Sequence, residues 1–354
     1  MKKFAALSVP GGINRRHWSL GLLAGALGLG ALAGGANANA DLPKLTLLVN
    51  DSPALTHLPV LLAEHLGFFK DEGLRVDILD QSSSSVTLET IAAGGVYIWS
   101  APYDQLFNPS SKSLALVSLM QTGRTPQLAL GVSRKSMGNF KRMQDLAGKR
   151  IGVMELDSQA RRCVDYAMVL AGGSPSSLNH VALGSASSAI AAMRNGMVDA
   201  LCAPDPVMTL LEKKDDVDIV RNFRSAKDTQ RLFAGPMPGN CLLAPQALVK
   251  KQPQLCQAVV SGVARSLKWL RTAGPSDLLS HMQDNPVLLD RALYLSAVDN
   301  TRESYSMDGL MSNDAIQAAL RLRNVLEPQS DWRKDVVATY TNEFALKAQK
   351  RFKV

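Results

Sequence analysis

Short apolar runs alternate along the chain with stretches in which apolar residues recur at three- and four-residue spacing. Leu45–Asn50 (LTLLVN) reads as a buried strand, after which Leu58, Leu61, Leu62, Leu66 and Phe69 share one helical face. Arg75–Leu79 reads as a strand, Val86–Ala93 as a short helix, and Val96–Ser100, Leu114–Leu119 and Leu128–Val132 as further strands. The pattern restarts with a strand at Arg150–Met154 and a helix from Ser158 to Ala171. Strand Val181–Leu183, helix Ser187–Arg194 and strands Val198–Cys202, Val217–Val220 and Leu242–Ala244 follow. Beyond Pro245 the spacing is helical, as at Val259, Val263, Leu267 and Leu270 and again at Ile316, Ala319 and Leu320. Strands alternating with helices predict an α/β architecture with parallel sheets.

The restart is visible in the residues. Asp51-Ser52-Pro53-Ala54 recurs as Asp157-Ser158-Gln159-Ala160, each after a strand, and a glycine follows fifteen residues after each serine, at Gly67 and Gly173. Gly94-Gly95-Val96 through Ala101-Pro102-Tyr103 likewise matches Gly196-Met197-Val198 through Ala203-Pro204-Asp205. Two topologically similar lobes are the expectation, with a ligand cleft between the carboxyl ends of their strands.

That edge collects the candidate site residues. Asp51, Ser52 and Pro53 in one lobe and Asp157 and Ser158 in the other fall where helices begin, able to cap the helix or to hold a polar ligand group. Tyr103 and Asp205 follow Ala-Pro turns at strand ends. Ser83, Ser84 and Ser85 belong to a run of four hydroxyls on a strand–helix loop. Thr122 and Arg124 sit between two strands, His57 lies near the cleft, and Arg162 is on the second lobe's first helix. Trp99 is expected in the core and His65 at the surface.

Residues 1–40 change the meaning of the composition. Lys2, Lys3, Arg15 and Arg16 precede a glycine-rich apolar segment that ends in Ala38-Asn39-Ala40, with no acidic residue before Asp41. This is the pattern of an export signal cleaved after Ala40, and Arg15-Arg16 resembles a twin-arginine signal; an ordinary secretory signal is the alternative. The 354-residue chain carries a net charge of +8, and losing those four basic residues leaves 35 basic against 31 acidic ones. With no basic run interleaved with aromatics, nucleic acid is not an expected partner. The expected location is the periplasm, and the default state is a monomer.

Motifs of catalysis are lacking: there is no Gly-x-Ser-x-Gly, no phosphate loop ending in Gly-Lys-Ser/Thr and no His-Glu-x-x-His. No cofactor or metal is implied. Cys163, Cys202, Cys241 and Cys256 form no Cys-x-x-Cys, and either a Cys202–Cys241 disulfide or buried free thiols fits their positions.

Three segments carry a family resemblance. Leu66-Gly67-Phe68-Phe69-Lys70-Asp71-Glu72-Gly73-Leu74, Asp145-Leu146-Ala147-Gly148-Lys149-Arg150, and Gly196-x-Val198-Asp199-Ala200 followed by Asp205-Pro206 are similar to motifs of periplasmic solute-binding proteins of the nitrate/sulfonate/taurine group, which also includes thiamine-precursor-synthase-like proteins. The resemblance implies a type II periplasmic-binding-protein fold, two α/β lobes joined by two crossover segments around a central ligand cleft. The crossovers are expected near Gly131–Lys135 and Asn240–Pro245, which adds Asn240 to the candidate residues. Lobe 1 would then comprise 41–132 with 245–354, and lobe 2 would comprise 133–244. The implied function is capture of a small-molecule solute for an ABC permease in the inner membrane, without enzymatic activity. A periplasmic sensor subunit is one alternative. A thiamine-pyrimidine-synthase-like enzyme is another, although the Cys-rich motif of those enzymes is absent here. Two departures, Glu155-Leu156-Asp157-Ser158 where the group has Gly-Ser and Tyr97 where it has Asp, argue against an inorganic anion and favour a small organic solute, aromatic or acidic.

Overall fold

The computed structural model describes residues 42–281, 290–330, 332 and 339–353. The expected export signal, residues 1–40 with its cleavage point at Ala40, lies outside the described residues. Among these, no helix is long and apolar enough to cross a membrane.

Ten strands form two five-stranded sheets. The first five are β1 Lys44–Asn50, β2 Arg75–Gln81, β3 Tyr97–Pro102, β4 Leu116–Gln121 and β5 Leu128–Ser133. The others are β6 Arg150–Val153, β7 Asn179–Ala182, β8 Ala200–Pro204, β9 Val217–Asn222 and β10 Asn240–Pro245. One sheet has the order β2-β1-β3-β10-β4 and the other β7-β6-β8-β5-β9. The orders superimpose: β1 corresponds to β6, β3 to β8, and in each sheet the fourth strand, β10 or β5, runs antiparallel to its neighbours. The internal repeat in the sequence is therefore a repeat of topology, because Asp51 follows β1 as Asp157 follows β6, and Tyr103 follows β3 as Asp205 follows β8.

The expected crossover positions are corrected by the strand pairing. Residues 131–133 lie within β5, which pairs with β8 and β9 in the second sheet, while 240–245 is β10, which pairs with β3 and β4 in the first. The chain changes sheets earlier, over 122–127 and 234–239. Each crossover runs straight into an apolar strand, and nothing local in that strand names its partners. The two segments touch: the Gly239 N–H donates to Gly123 O at 2.9 Å, and a Cβ on Gly239 would lie 1.9 Å from Thr125 O. Only glycine permits that approach.

All but the edge strands β2, β7 and β9 are largely buried on both faces, as strands packed between helices require. Leu45, Leu47, Leu48 and Val49 of β1 are all buried. The outer edge of β4 is covered by Thr339–Thr341, which bonds both the N–H and the carbonyl of Ser118. The first of the quoted motifs explains itself in packing: Phe69 is buried against the long helix Pro253–Thr272, where a Cβ on Gly262 would meet the Phe69 ring at 2.5 Å. The other two motifs meet each other, since Asp199 accepts from the Arg150 backbone at 3.0 Å and pairs with its guanidinium at 2.9 Å.

The helix Asn313–Leu326 belongs to the C-terminal part of the chain yet packs on the helix Gln159–Leu170 of the second lobe. Through it one continuous apolar cluster joins Trp99 and Phe107 to Cys163, Tyr166, Ile316 and Leu322. All four cysteines are buried free thiols.

Candidate functional site

A cleft of about 850 Å³, its open mouth included, lies between the carboxyl edges of the two sheets. Asn50, Asp51, Ser100 and Pro102 reach it from the ends of β1 and β3, and Met154, Glu155 and Pro204 from the ends of β6 and β8. Ser82, Ser84, Ser158, Gln159 and Asn240 complete much of its polar wall. Among the described residues no Lys or Arg lines it, and its charged side chains are Asp51 and Glu155.

The back wall is a neutral network on the first lobe. His57 bonds Asn50 O through Nε2 at 2.9 Å, and since that partner is a carbonyl, Nε2 carries the proton. Nδ1 therefore accepts, with Ser100 Oγ at 3.0 Å. Burial, opposed by the Asn50 carbonyl and the Asp80 charge, pushes the His57 pKa down to about 4, so the ring is neutral near pH 7. Asn240 donates to Ser100 Oγ at 2.7 Å and to Thr56 O at 3.2 Å, whereas its Oδ1 has no partner among the described residues. Asn50 Oδ1 accepts from the indole of Trp99 at 2.8 Å, which fixes that core side chain.

The rim is charged and crosses from lobe to lobe. Arg162 donates through Nε to Asp104 Oδ2 at 2.7 Å and pairs with Asp157 at 2.5 Å. Burial opposes the Arg162 charge, but the Asp104 and Asp157 carboxylates outweigh it and hold its pKa above the usual value. Asn108 donates to Asp157 Oδ2 at 2.8 Å. The Leu55 N–H donates to Asp205 O at 2.8 Å. Glu155 Oε1 accepts from the Ser84 N–H at 3.0 Å, and the Asp51 carboxylate faces the Ala186 N–H. Burial, helped by Asp80 and opposed by that N–H, pushes the Asp51 pKa up to about 6.

Of the sequence candidates, the structure brings Asp51, His57, Ser84, Ser158 and Asn240 to the cleft wall. Ser158 also caps its helix, with Oγ 3.3 Å from the Arg161 N–H. Ser52 is no cap: the chain turns through 51–54 before a 3₁₀ turn at Leu55–His57, and the Ser52 N–H goes to Asp80. Pro53 stays in that turn. Ser83 caps the helix Ser84–Ala92, and Ser83 and Ser85 face a second, outer cavity that also holds Asp157. The remaining candidates point elsewhere. Tyr103 is in the core with its hydroxyl 2.7 Å from Thr339 Oγ1, and Asp205 is sealed against Arg224 at 2.9 Å. Arg162 is consumed by Asp104 and Asp157. Arg124 donates to Glu303 O, and Thr122 is buried in the first crossover, bonded through its backbone to Asn240 O.

Several wall residues were missed: Asn50, Ser100, Gln105 and Gln159. Asn50 and Ser100 had a signal, a polar residue at the carboxyl end of an apolar strand. Asp104, the partner of Arg162, stands next to a residue that was chosen.

The profile of the family described as NMT1/THI5 like matches residues 54–274. The chain belongs to that family. A solved protein from Bordetella bronchiseptica RB50 is 31% identical, with a TM-score of 0.82 over 88% of this chain and 98% of the other. The alkanesulfonate-binding protein SsuA from Xanthomonas axonopodis pv. citri, bound to MOPS, is 18% identical with a TM-score of 0.65 over 82% of this chain and 94% of its own. The periplasmic nitrate-binding protein NrtA from Synechocystis PCC 6803 is 11% identical with a TM-score of 0.66, over 89% and 90% of the two chains. These likenesses establish the two-lobe type II periplasmic-binding-protein fold. Among curated relatives, a 4-amino-5-hydroxymethyl-2-methylpyrimidine phosphate synthase from Legionella pneumophila is 28% identical over 141 residues, 40% of this chain and 43% of the relative. The Saccharomyces cerevisiae synthase THI11 is 28% identical over 109 residues, 31% of this chain and 32% of its own. The chain thus spans less than half the length of these curated family members.

Proposed function

We propose that this protein is the solute-capturing component of an ATP-driven import system. It is exported to the periplasm on a cleaved twin-arginine-type signal, closes its lobes around a small organic solute and hands it to a permease. The observation that carries this reading is the cleft, walled by both carboxyl edges and backed by two touching crossover segments that suit a hinge. The wall offers neutral donors and acceptors, and none of the four cysteines lines it. Low-identity relatives are named as pyrimidine synthases, so a pyrimidine ligand is a reading to be tested beside other organic solutes.

A thermal-shift screen of sulfonates, nitrate, aromatic carboxylates, aminopyrimidines and amino acids tests the proposal. A solute at about 100 times its Kd adds about 2.7 kcal/mol, a rise in Tm of several degrees. One responding chemical class is expected. Formation of a pyrimidine product by the protein would replace the binding reading with the enzymatic one.

A further inference from the structure

The two charged residues of the cleft come from opposite lobes, each just past the end of a corresponding strand. Asp51 follows β1 and Glu155 follows the corresponding strand β6, and each reaches across to the opposite lobe. Glu155 accepts from the N–H of Ser84, the first residue of the helix Ser84–Ala92, while Asp51 faces the N–H of Ala186, the first residue of the helix Ala186–Arg194, which tempers the rise of its pKa. These nine-residue helices follow β2 and β7, which are themselves equivalent. A helix N-terminus, with free N–H groups and the positive end of its dipole, is where an α/β cleft holds an anion. Here each such place is taken by a carboxylate of the facing lobe.

A second observation points to what the solute brings instead. Asn240 Oδ1 and Gln105 Oε1 belong to buried cleft-wall residues, 2% and 3% exposed, and neither oxygen has a donor among the described residues. Buried acceptors without partners are costly and are completed by N–H or O–H groups. With no Lys or Arg in the wall, an anionic solute would meet two carboxylates and no cation.

We propose that Asp51 and Glu155 are specificity-determining residues: they fill the two anion places from within the protein, hold the lobes together, and turn the cleft toward uncharged or cationic solutes rich in N–H donors. This rests on the solute-binding reading and narrows its ligand to amines, amidines or amino-substituted heterocycles.

The test uses the exported protein with no natural solute. Calorimetric titration with methanesulfonate compares the wild type with Asp51→Gly/Glu155→Ala; glycine suits position 51, whose φ is +57°. The expected result is at least a tenfold gain in methanesulfonate affinity in the double variant; equal affinity in the two proteins overturns the proposal. The isosteric Asp51→Asn/Glu155→Gln protein keeps the shapes and removes the charges, and guards against misfolding of the smaller variant. Small-angle scattering should show it more expanded than the solute-free wild type, and identical radii of gyration overturn the closure role. Both readouts need no natural solute. A flat thermal-shift screen would therefore count against the solute-binding reading while the anion gain still reports on these two carboxylates.

Discussion

The back wall formed by Asn50, His57, Ser100 and Asn240 is held by neutral hydrogen bonds inside one lobe, whereas the rim residues Asp104, Glu155, Asp157 and Arg162 bond from one lobe to the other. The difference separates two tasks. Contacts that shape the pocket stay intact when the lobes part. On the proposed opening, the side-chain contacts that would break and re-form are charge-assisted, and water can take them over when they are exposed. The exception is Asp104–Arg162, whose side chains are 3% and 9% exposed, so opening that pair to water or breaking it are very different events.

The largest effect is therefore expected at this pair. Arg162→Met strands the buried Asp104 carboxylate and should cost about 3–5 kcal/mol in urea denaturation, and adding Asp104→Leu should recover most of it. A double variant no more stable than the single one would show that the pair is not the source.

Next come two opposed titrations, one on each side of the comparison. The raised pKa of Asp51 means that the folded protein holds a proton the unfolded chain has lost, so its contribution falls as pH rises from about 4 to about 6. The lowered pKa of His57 means the reverse, and its contribution grows as pH rises from about 4 to 6.5. Relative to wild type, Asp51→Asn should gain about 3 kcal/mol across this window and His57→Gln should lose a similar amount. Thermal denaturation of the three proteins from pH 4 to pH 7 checks both signs.

Within the back wall, Ser100→Ala removes the hydroxyl that links His57 to Asn240 and should cost about 1–3 kcal/mol. On the solvated rim, Asn108→Ala should change stability by less than about 1 kcal/mol, since its partner Asp157 is largely exposed. A rim loss as large as the back-wall loss would erase the distinction between them.

The sequence carried most of the elements because period and length report directly on local structure. It also carried the two-lobe repeat, which returned as matching strand orders. It misassigned β5 and β10 because their apolar runs are alike and sheet membership is decided by distant partners. For the cleft, position at strand ends and helix starts located Asp51, His57, Ser84 and Ser158, and the family resemblance added Asn240. Position did not say which way a side chain turns at the strand end, so Tyr103 was chosen for a site it does not face while its neighbour Asp104 was passed over. Glu155 was legible as a departure from the group's pattern, but its partner, a backbone N–H on the other lobe, exists only after folding.

The buried cysteines bear on the order of events in the life of the chain. Burial holds the thiols of Cys163 and Cys202 far above their ordinary range, and pushes Cys241 up to about 12 and Cys256 to about 11. Thiolates, not thiols, carry out exchange, so the finished fold is inert toward oxidants. An unfolded chain has no such protection, and in an oxidising compartment its four thiols could join in three complete pairings, any of which would have to be undone. A chain that folds in reducing surroundings and crosses the membrane already packed never passes through that stage. On the proposed export by a twin-arginine-type signal, folding first and travelling second would let this protein keep four cysteines without needing a disulfide isomerase.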